Sequence, residues 1–189
     1  NPLDKVKKDY NKFYNSDTHL VYNSDLDALE CYWRYVDDLK HKVIIYRRIT
    51  KNGIDWSQKE VILQGDRMKV DYLSPTIIYD NKKYLLWYVD IDFKIKYVEI
   101  NKNKCSKPYT VNIEFDEQLK PWHLDIIKTN NGYEMIAVAL RDWLKRSKMN
   151  LYYSKSEDNK NWEKAKLILV PDDNSGFYRS SILYLKNVY

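Results

Sequence analysis

Lys120-Pro121-Trp122-His123-Leu124-Asp125-Ile126-Ile127 reads as a strand entered through a proline break, with polar groups where a buried strand should be apolar. Side chains two apart share one face of a strand. His123 and Asp125 therefore stand side by side, with Trp122 and Leu124 on the other face and Ile126-Ile127 as the anchor in a core. An imidazole and a carboxylate aimed inward need partners or a ligand.

The same design recurs along the chain. Apolar pairs stand at Leu20-Val21, Ile77-Ile78, Ile126-Ile127 and Ile182-Leu183, about 49 to 57 residues apart. A second strand follows the first three pairs, over Leu29 to Val36, Tyr84 to Val89 and Tyr133 to Leu140, and a fourth is expected at Asn187-Val188-Tyr189. The connections Asn23-Ser24-Asp25, Asp80-Asn81-Lys82 and Asn130-Asn131-Gly132 carry turn chemistry. Third strands are predicted over Lys42 to Ile49, Lys94 to Ile100 and Met149 to Ser154. Fourth strands are predicted over Glu60 to Leu63, Thr110 to Phe115 and Lys166 to Val170. Between third and fourth strands, Thr50-Lys51-Asn52-Gly53-Ile54-Asp55-Trp56 matches Ser156-Glu157-Asp158-Asn159-Lys160-Asn161-Trp162: a hydroxyl, an Asx turn and a Trp plug. In the middle unit Cys105 takes the plug position and reads as a small buried hydrophobe.

A period near 50 residues with four strands per unit predicts an all-β fold, a β-propeller of four-stranded antiparallel blades. A β-sandwich has short strands but not this repeat. The expected units are 18–73, 74–121, 122–177 and 178–189, after a lead-in at 1–17 with a short helix through Val6 to Phe13. The chain opens at Asn and stops inside its fourth unit, so it reads as a piece of something longer.

Composition narrows the function. The 189 residues are 44% hydrophobic and 31% charged, which suits a folded chain. The net charge of +5 is spread with acids interleaved, so nothing resembles a nucleic-acid stripe. Two isolated cysteines make neither a disulfide framework nor a metal knuckle. No apolar run reaches the ~18 residues of a membrane span, no signal peptide is visible, and nothing calls for a cofactor. The 18 Tyr and 6 Trp suit strands and also sugar stacking.

Aligned on their apolar pairs, the first strands carry His19, Thr76, Asp125 and Ser181 one residue before the pair. Asp17, Ser74, His123 and Arg179 stand three before it. In a propeller these strands border the central channel, so the eight polar residues should converge at one mouth. One reading is a set of groups that bond each other and water. The other is a glycan site of His19, Ser74, Thr76, His123, Asp125, Arg179 and Ser181, with Trp122 and Tyr178 as stacking rings. His19, His123 and Asp125 also admit a metal, without the fixed spacing that would support one. Trp33, Trp87 and Tyr88 read as packing between blades, and Trp143 as a lid or edge plug.

Ser74-Pro75-Thr76-Ile77-Ile78-Tyr79-Asp80 running into Tyr84-Leu85-Leu86-Trp87-Tyr88, the two turn-Trp boxes, and Tyr178-Arg179-Ser180-Ser181 resemble the five-bladed propellers of the arabinanase, β-xylosidase and levansucrase clan. Within that clan the chain looks most like glycosidase-like propellers of phage tail and adsorption proteins. That resemblance implies three inner-strand carboxylates. Asp17 would stand for the base and Asp125 for the tuning Asp, while the Glu general acid has no match and Arg179 holds the inner position of the fourth unit. It implies a carbohydrate-binding propeller, extracellular or virion-associated, for bacterial wall glycan or a teichoic-acid-like polymer, perched among other chains of an assembly. The alternative is a glycoside hydrolase whose Glu lies outside this chain.

Overall fold

The structure, a computed structural model, describes residues 3–4, 9, 12–102, 104–116, 119–141, 149–172 and 176–183. Three antiparallel sheets follow one another along the chain. The first is β1 (Phe13–Asn23), β2 (Ala28–Asp37), β3 (Lys42–Thr50) and β4 (Glu60–Asp66). The second is β5 (Leu73–Asp80), β6 (Lys83–Val89), β7 (Ile95–Asn101), then the two-residue strands β8 (Lys104–Cys105) and β9 (Tyr109–Thr110), both pairing with β7. The third is β10 (Lys120–Thr129), β11 (Gly132–Leu140), β12 (Asn150–Ser156) and β13 (Lys166–Leu169). The first strands β1, β5 and β10 lie side by side, β5 in the middle. That is the blade arrangement of a β-propeller. Among the described residues no helix is long and apolar enough to cross a membrane.

Two cores fill the spaces between blades. Val21, Tyr32, Ile45, Ile77, Leu86 and Tyr88 pack the first blade on the second. Leu85, Trp87, Tyr97, Leu124, Ile126 and Met135 pack the second on the third. Trp87 is fully buried and stacks near Tyr97 and Tyr133, with ring centroids 5.0 and 5.8 Å away. Burying such a ring stabilises by roughly 1.5–3 kcal/mol. A polar pin crosses the first interface. The fully buried Glu30 carboxylate accepts from Asn23 Nδ2 (3.0 Å), Tyr32 OH (2.6 Å) and, across the blades, Tyr84 OH (2.7 Å). Burial and the Glu30 carboxylate together push the Tyr84 phenol up to about 12. The turns of both boxes form as expected, but only Trp162 is a buried plug; Trp56 is half-buried. Asn52 Oδ1 accepts from the Ile54 and Asp55 amides, and Asp158 Oδ1 from those of Lys160 and Asn161.

Several sequence expectations are corrected. The first strand starts at Phe13, so the lead-in ends earlier than residue 17 and Phe13 is not helical. Thr110 to Phe115 is not the fourth strand of the second blade. The chain leaves β7 after the Val111 amide bonds Ile95 O (3.0 Å), and the Asn112 amide donates to Lys160 O (2.7 Å) while the Ala165 amide donates to Glu114 O (2.8 Å). Val111, Ile113 and Phe115 still face the cores, which is why the stretch alternates like a strand. Cys105 is exposed, because it sits on a two-residue edge strand instead of under a blade. Leu20 is 58% exposed although its counterparts Ile77 and Ile126 are buried, since it faces the side of the first blade with no neighbour among the described residues. Residues 176–183 form no strand. Trp143 and Asn187-Val188-Tyr189 lie outside the described residues.

Candidate functional site

The site begins with a defect shared by the inner strands. In β1 the register shifts between Ser16 and His19, in β5 between Leu73 and Thr76, and in β10 between Pro121 and His123. Each shift inserts one extra residue into the inner strand, a β-bulge. At two of them a non-glycine residue sits in the left-handed region, Asp17 at φ 54° and Ser74 at φ 51°. Such a backbone is held only where its surroundings fix it, and the bulge re-aims the side chain. In β1 and β5 the strict two-residue period therefore breaks between the two polar rows, whereas in β10 the shift precedes His123 and leaves His123 and Asp125 in register. In all three strands the rows do different things.

The row nearer the apolar pair stitches blade to blade. His19 Nε2 lies 3.1 Å from Ile77 O. Thr76 Oγ1 accepts from the Ile126 amide at 3.3 Å and donates to Asp125 Oδ1 at 2.8 Å. Asp125 Oδ2 accepts from the Ile182 amide at 3.1 Å. Ile77, Ile126 and Ile182 hold the same place in successive repeats, so each side chain of this row bonds the backbone of the next unit. His19 Nδ1 lies 3.8 Å from Asp125 Oδ1, joining the row across the channel. Burial lowers the His19 pKa against the pull of Asp125. Ser181, assigned to this row from the sequence, is exposed.

The other row holds a tighter cluster. Asp17 of β1 and His123 of β10 meet across the channel, Oδ1 to Nδ1 3.5 Å apart. His123 is 1% exposed, and neither ring nitrogen has a hydrogen-bond partner. Burial holds its pKa down at about 4 despite Asp17, with Arg179 and Arg34 adding to the depression. The imidazole is therefore neutral at pH 7. Ser74, the third member, does not reach this cluster; its hydroxyl donates to Leu124 O (3.2 Å) and accepts from the Leu124 amide (3.1 Å). Trp122 is half-buried on the core side, with its ring centroid 5.6 Å from that of His123. Tyr178 lies over His123 at 4.8 Å between centroids, and Arg179 Nη2 donates to Thr18 O at 2.7 Å.

Sequence reasoning missed the residue that holds Asp17. Arg34 sits in the middle of β2, with its side chain 2% exposed. Its Nη1 lies 4.0 Å from Asp17 Oδ2 and 3.3 Å from Ser16 Oγ. Its Nε donates to Asp71 O at 2.8 Å, and Nη2 pairs with the Asp71 carboxylate. Ser16 Oγ donates to Asp17 Oδ2 at 2.9 Å. The available signal was an arginine in the otherwise apolar run of β2, since a buried guanidinium needs carboxylates around it. Among the described residues no group of three or more His, Cys, Asp or Glu is placed to hold a metal ion.

No known protein-family model matches the chain. An A-type blood N-acetyl-α-D-galactosamine deacetylase of Flavonifractor plautii is 26% identical over 230 aligned residues, covering 92% of this chain and 29% of that protein. An N-acetylgalactosamine deacetylase of F. plautii, solved with a blood group B trisaccharide, superposes with a TM-score of 0.80 at 23% identity, over 94% of this chain and 60% of its own. An exo-1,5-α-L-arabinanase from a bovine ruminal metagenomic library superposes with a TM-score of 0.67 at 15% identity, over 90% and 65%. The fold is that of the arabinanase-type β-propellers. The Bacillus subtilis arabinanase belongs to the same set, with a TM-score of 0.60 at 10% identity over 77% of this chain and 52% of that one. The chain thus spans 29% of the curated relative and under two thirds of each of these structures. In this propeller the channel mouth gathers Asp17, His19, Thr76, His123 and Asp125, while Ser74 turns to backbone and Ser181 to solvent.

Proposed function

We propose that this propeller engages a glycan at the mouth of its channel, and that the chemistry its residues suit best is hydrolysis of the acetamido group of an amino sugar. One observation carries the reading: a neutral, buried imidazole, His123, faces a carboxylate held by Arg34, with both ring nitrogens unspent. With its proton on Nδ1 directed at Asp17, His123 offers Nε2 as a base. Water would give its proton there as its oxygen bonds to the acetyl carbon. The C–N bond then breaks, the proton passes to the departing amine, and acetate leaves. Asp17 stabilises the imidazolium formed on the way. The 26% identity to a deacetylase across 92% of the chain supports this choice.

Glycoside cleavage fits less well. It needs two carboxyl groups flanking the bond, one as acid and one as base or nucleophile. Asp125, the second carboxylate expected from the sequence, has its oxygens taken by Thr76, the Ile126 amide and the Ile182 amide. A second reading is recognition without turnover, of bacterial wall glycan or teichoic acid on behalf of a phage particle. Its motive is Arg179, exposed at the mouth with one nitrogen on Thr18 O, a cation that a phosphate-bearing polymer would seek.

The test places the protein with oligosaccharides ending in N-acetylgalactosamine or N-acetylglucosamine, and in parallel with Gram-positive walls intact or stripped of teichoic acid. Acetate, reducing ends and bound protein are measured in the same tubes. Acetate without new reducing ends is the expected result. Reducing ends would establish a glycosidase. Binding alone, lost on stripped walls, would establish the recognition module, and no binding to any sugar would overturn the glycan reading.

A further inference from the structure

We infer that residues 176–183 are a lid over the His123–Asp17 pair, shut in this structure and latched by Arg179. The site it guards rests on the reading above; the lid itself does not. The first observation is the state of His123. A fully buried imidazole with neither nitrogen bonded is an expensive arrangement, since buried polar groups are nearly always paired. It becomes sensible if the same nitrogens meet water or a ligand in a second state. The second observation is what covers them. Tyr178 packs on the imidazole at 4.8 Å, yet is itself 66% exposed. The cover is therefore one side chain thick, with solvent on its far side.

The third observation is how the cover is held. Residues 176–183 form no strand, and among the described residues three hydrogen bonds tie them to the blades. The Phe177 amide donates to Met149 O (2.9 Å), Arg179 Nη2 to Thr18 O (2.7 Å), and the Ile182 amide to Asp125 Oδ2 (3.1 Å). The first and last tether the ends of the segment. Among the described residues, only the Arg179 contact, at the exposed mouth, holds its middle down next to Tyr178. A segment fixed at both ends and pinned once between them can lift over its middle without unfolding a blade. The pin is on β1 and the histidine on β10, so lifting the segment frees Thr18 O and uncovers His123 while both strands stay in place.

The experiment is acylation by diethyl pyrocarbonate with mass spectrometry of the histidine peptides. His41 is exposed and serves as the internal reference in the same molecule. Wild-type protein should label His41 well ahead of His123. Arg179→Ala removes no group that packs on His123, and at pH 7 the imidazole is neutral with or without the Arg179 charge, so static cover predicts no change there. A released latch predicts His123 labelling faster by about tenfold, the population shift expected for one lost charge-assisted contact. Arg179→Lys, which can restore one donor to Thr18 O, should bring the rate back toward wild type, and an unchanged far-UV spectrum and melting point show that the fold persists. Equal His123 labelling in wild type and Arg179→Ala, or His123 reacting as fast as His41 in wild type, would overturn the lid. Adding the amino-sugar oligosaccharide separates the two proposals: faster labelling in Arg179→Ala with no sugar protection would keep the lid and remove the glycan reading.

Discussion

Arg34→Leu is the substitution that connects the site to the fold most directly. The guanidinium is 2% exposed and is bonded to Asp71, Ser16 and Tyr14, with Asp17 at 4.0 Å. Removing it strands Asp17, whose side chain is 5% exposed and keeps only the Ser16 hydroxyl and the His123 ring. Asp71 is better off, since Arg67 Nη1 still pairs with it at 2.6 Å. Breaking one side of a buried pair destabilises by about 3–5 kcal/mol, and the surviving Arg67 contact places this case at the lower end, about 3 kcal/mol. For a chain of this size that lowers the melting temperature by roughly 6–12 °C. The assay is urea unfolding followed by tryptophan fluorescence, with Arg34→Lys alongside. Lysine keeps the charge but not the fork, so it should fall between the two. The same variant should raise the His123 pKa, because Arg34 is one of the charges holding it down. A loss under about 1 kcal/mol with an unmoved His123 titration would refute the claim that Arg34 organises this corner.

Three more expectations follow from the same geometry. His123 titrates near 4 folded against an ordinary 6.5, so between those values the unfolded chain binds more protons than the native one. Stability is then fully present above pH 6.5 and falls as pH drops toward 4, by up to about 3 kcal/mol; urea midpoints across this range should show the slope, and His123→Leu should flatten it. Gly132 has φ +123°, and a Cβ there would meet Ser156 O and Glu157 Cα, so Gly132→Ala should lower stability by about 2–4 kcal/mol in the same unfolding assay. Glu30→Gln keeps the shape of the interblade pin but weakens its charge-assisted bonds to Tyr32, Tyr84 and Arg47, for a loss of about 1–3 kcal/mol and a fall in the Tyr84 pKa by spectrophotometric titration.

The strands and turns were legible in the sequence because they obey local rules. Ile77 and Ile126 repeat at a fixed spacing, Asn52 and Asp158 close their own turns, and Asn130-Asn131-Gly132 supplies the left-handed residue that its hairpin needs. What failed was whatever depended on a neighbour. Val111, Ile113 and Phe115 alternate as a strand does, but the intervening Asn112 and Glu114 bond Lys160, Trp162 and Ala165 of the third blade instead of β7. Cys105 was placed by analogy with Trp162, and its two-residue strand lies at an edge. The candidate site was half legible. His123, Asp17 and Asp125 were located by period two, but period two did not tell that Asp125 joins blades while Asp17 and His123 meet across the channel. Arg34 and Asp71 escaped because their sequence positions, 37 apart, carry no mark of the contact between them.

The repeated bulge bears on how such a molecule can change over time. Each inner strand spends one extra residue near its entry, at residues 17–18, at 74–75 and at Trp122. The fold therefore constrains the kink and leaves its side chain free: aspartate in one strand, serine in the next, tryptophan in the third. Side chains at the kinks can change with no rearrangement of sheets. Propellers built on this kink can drift between substrates while their scaffold stands still.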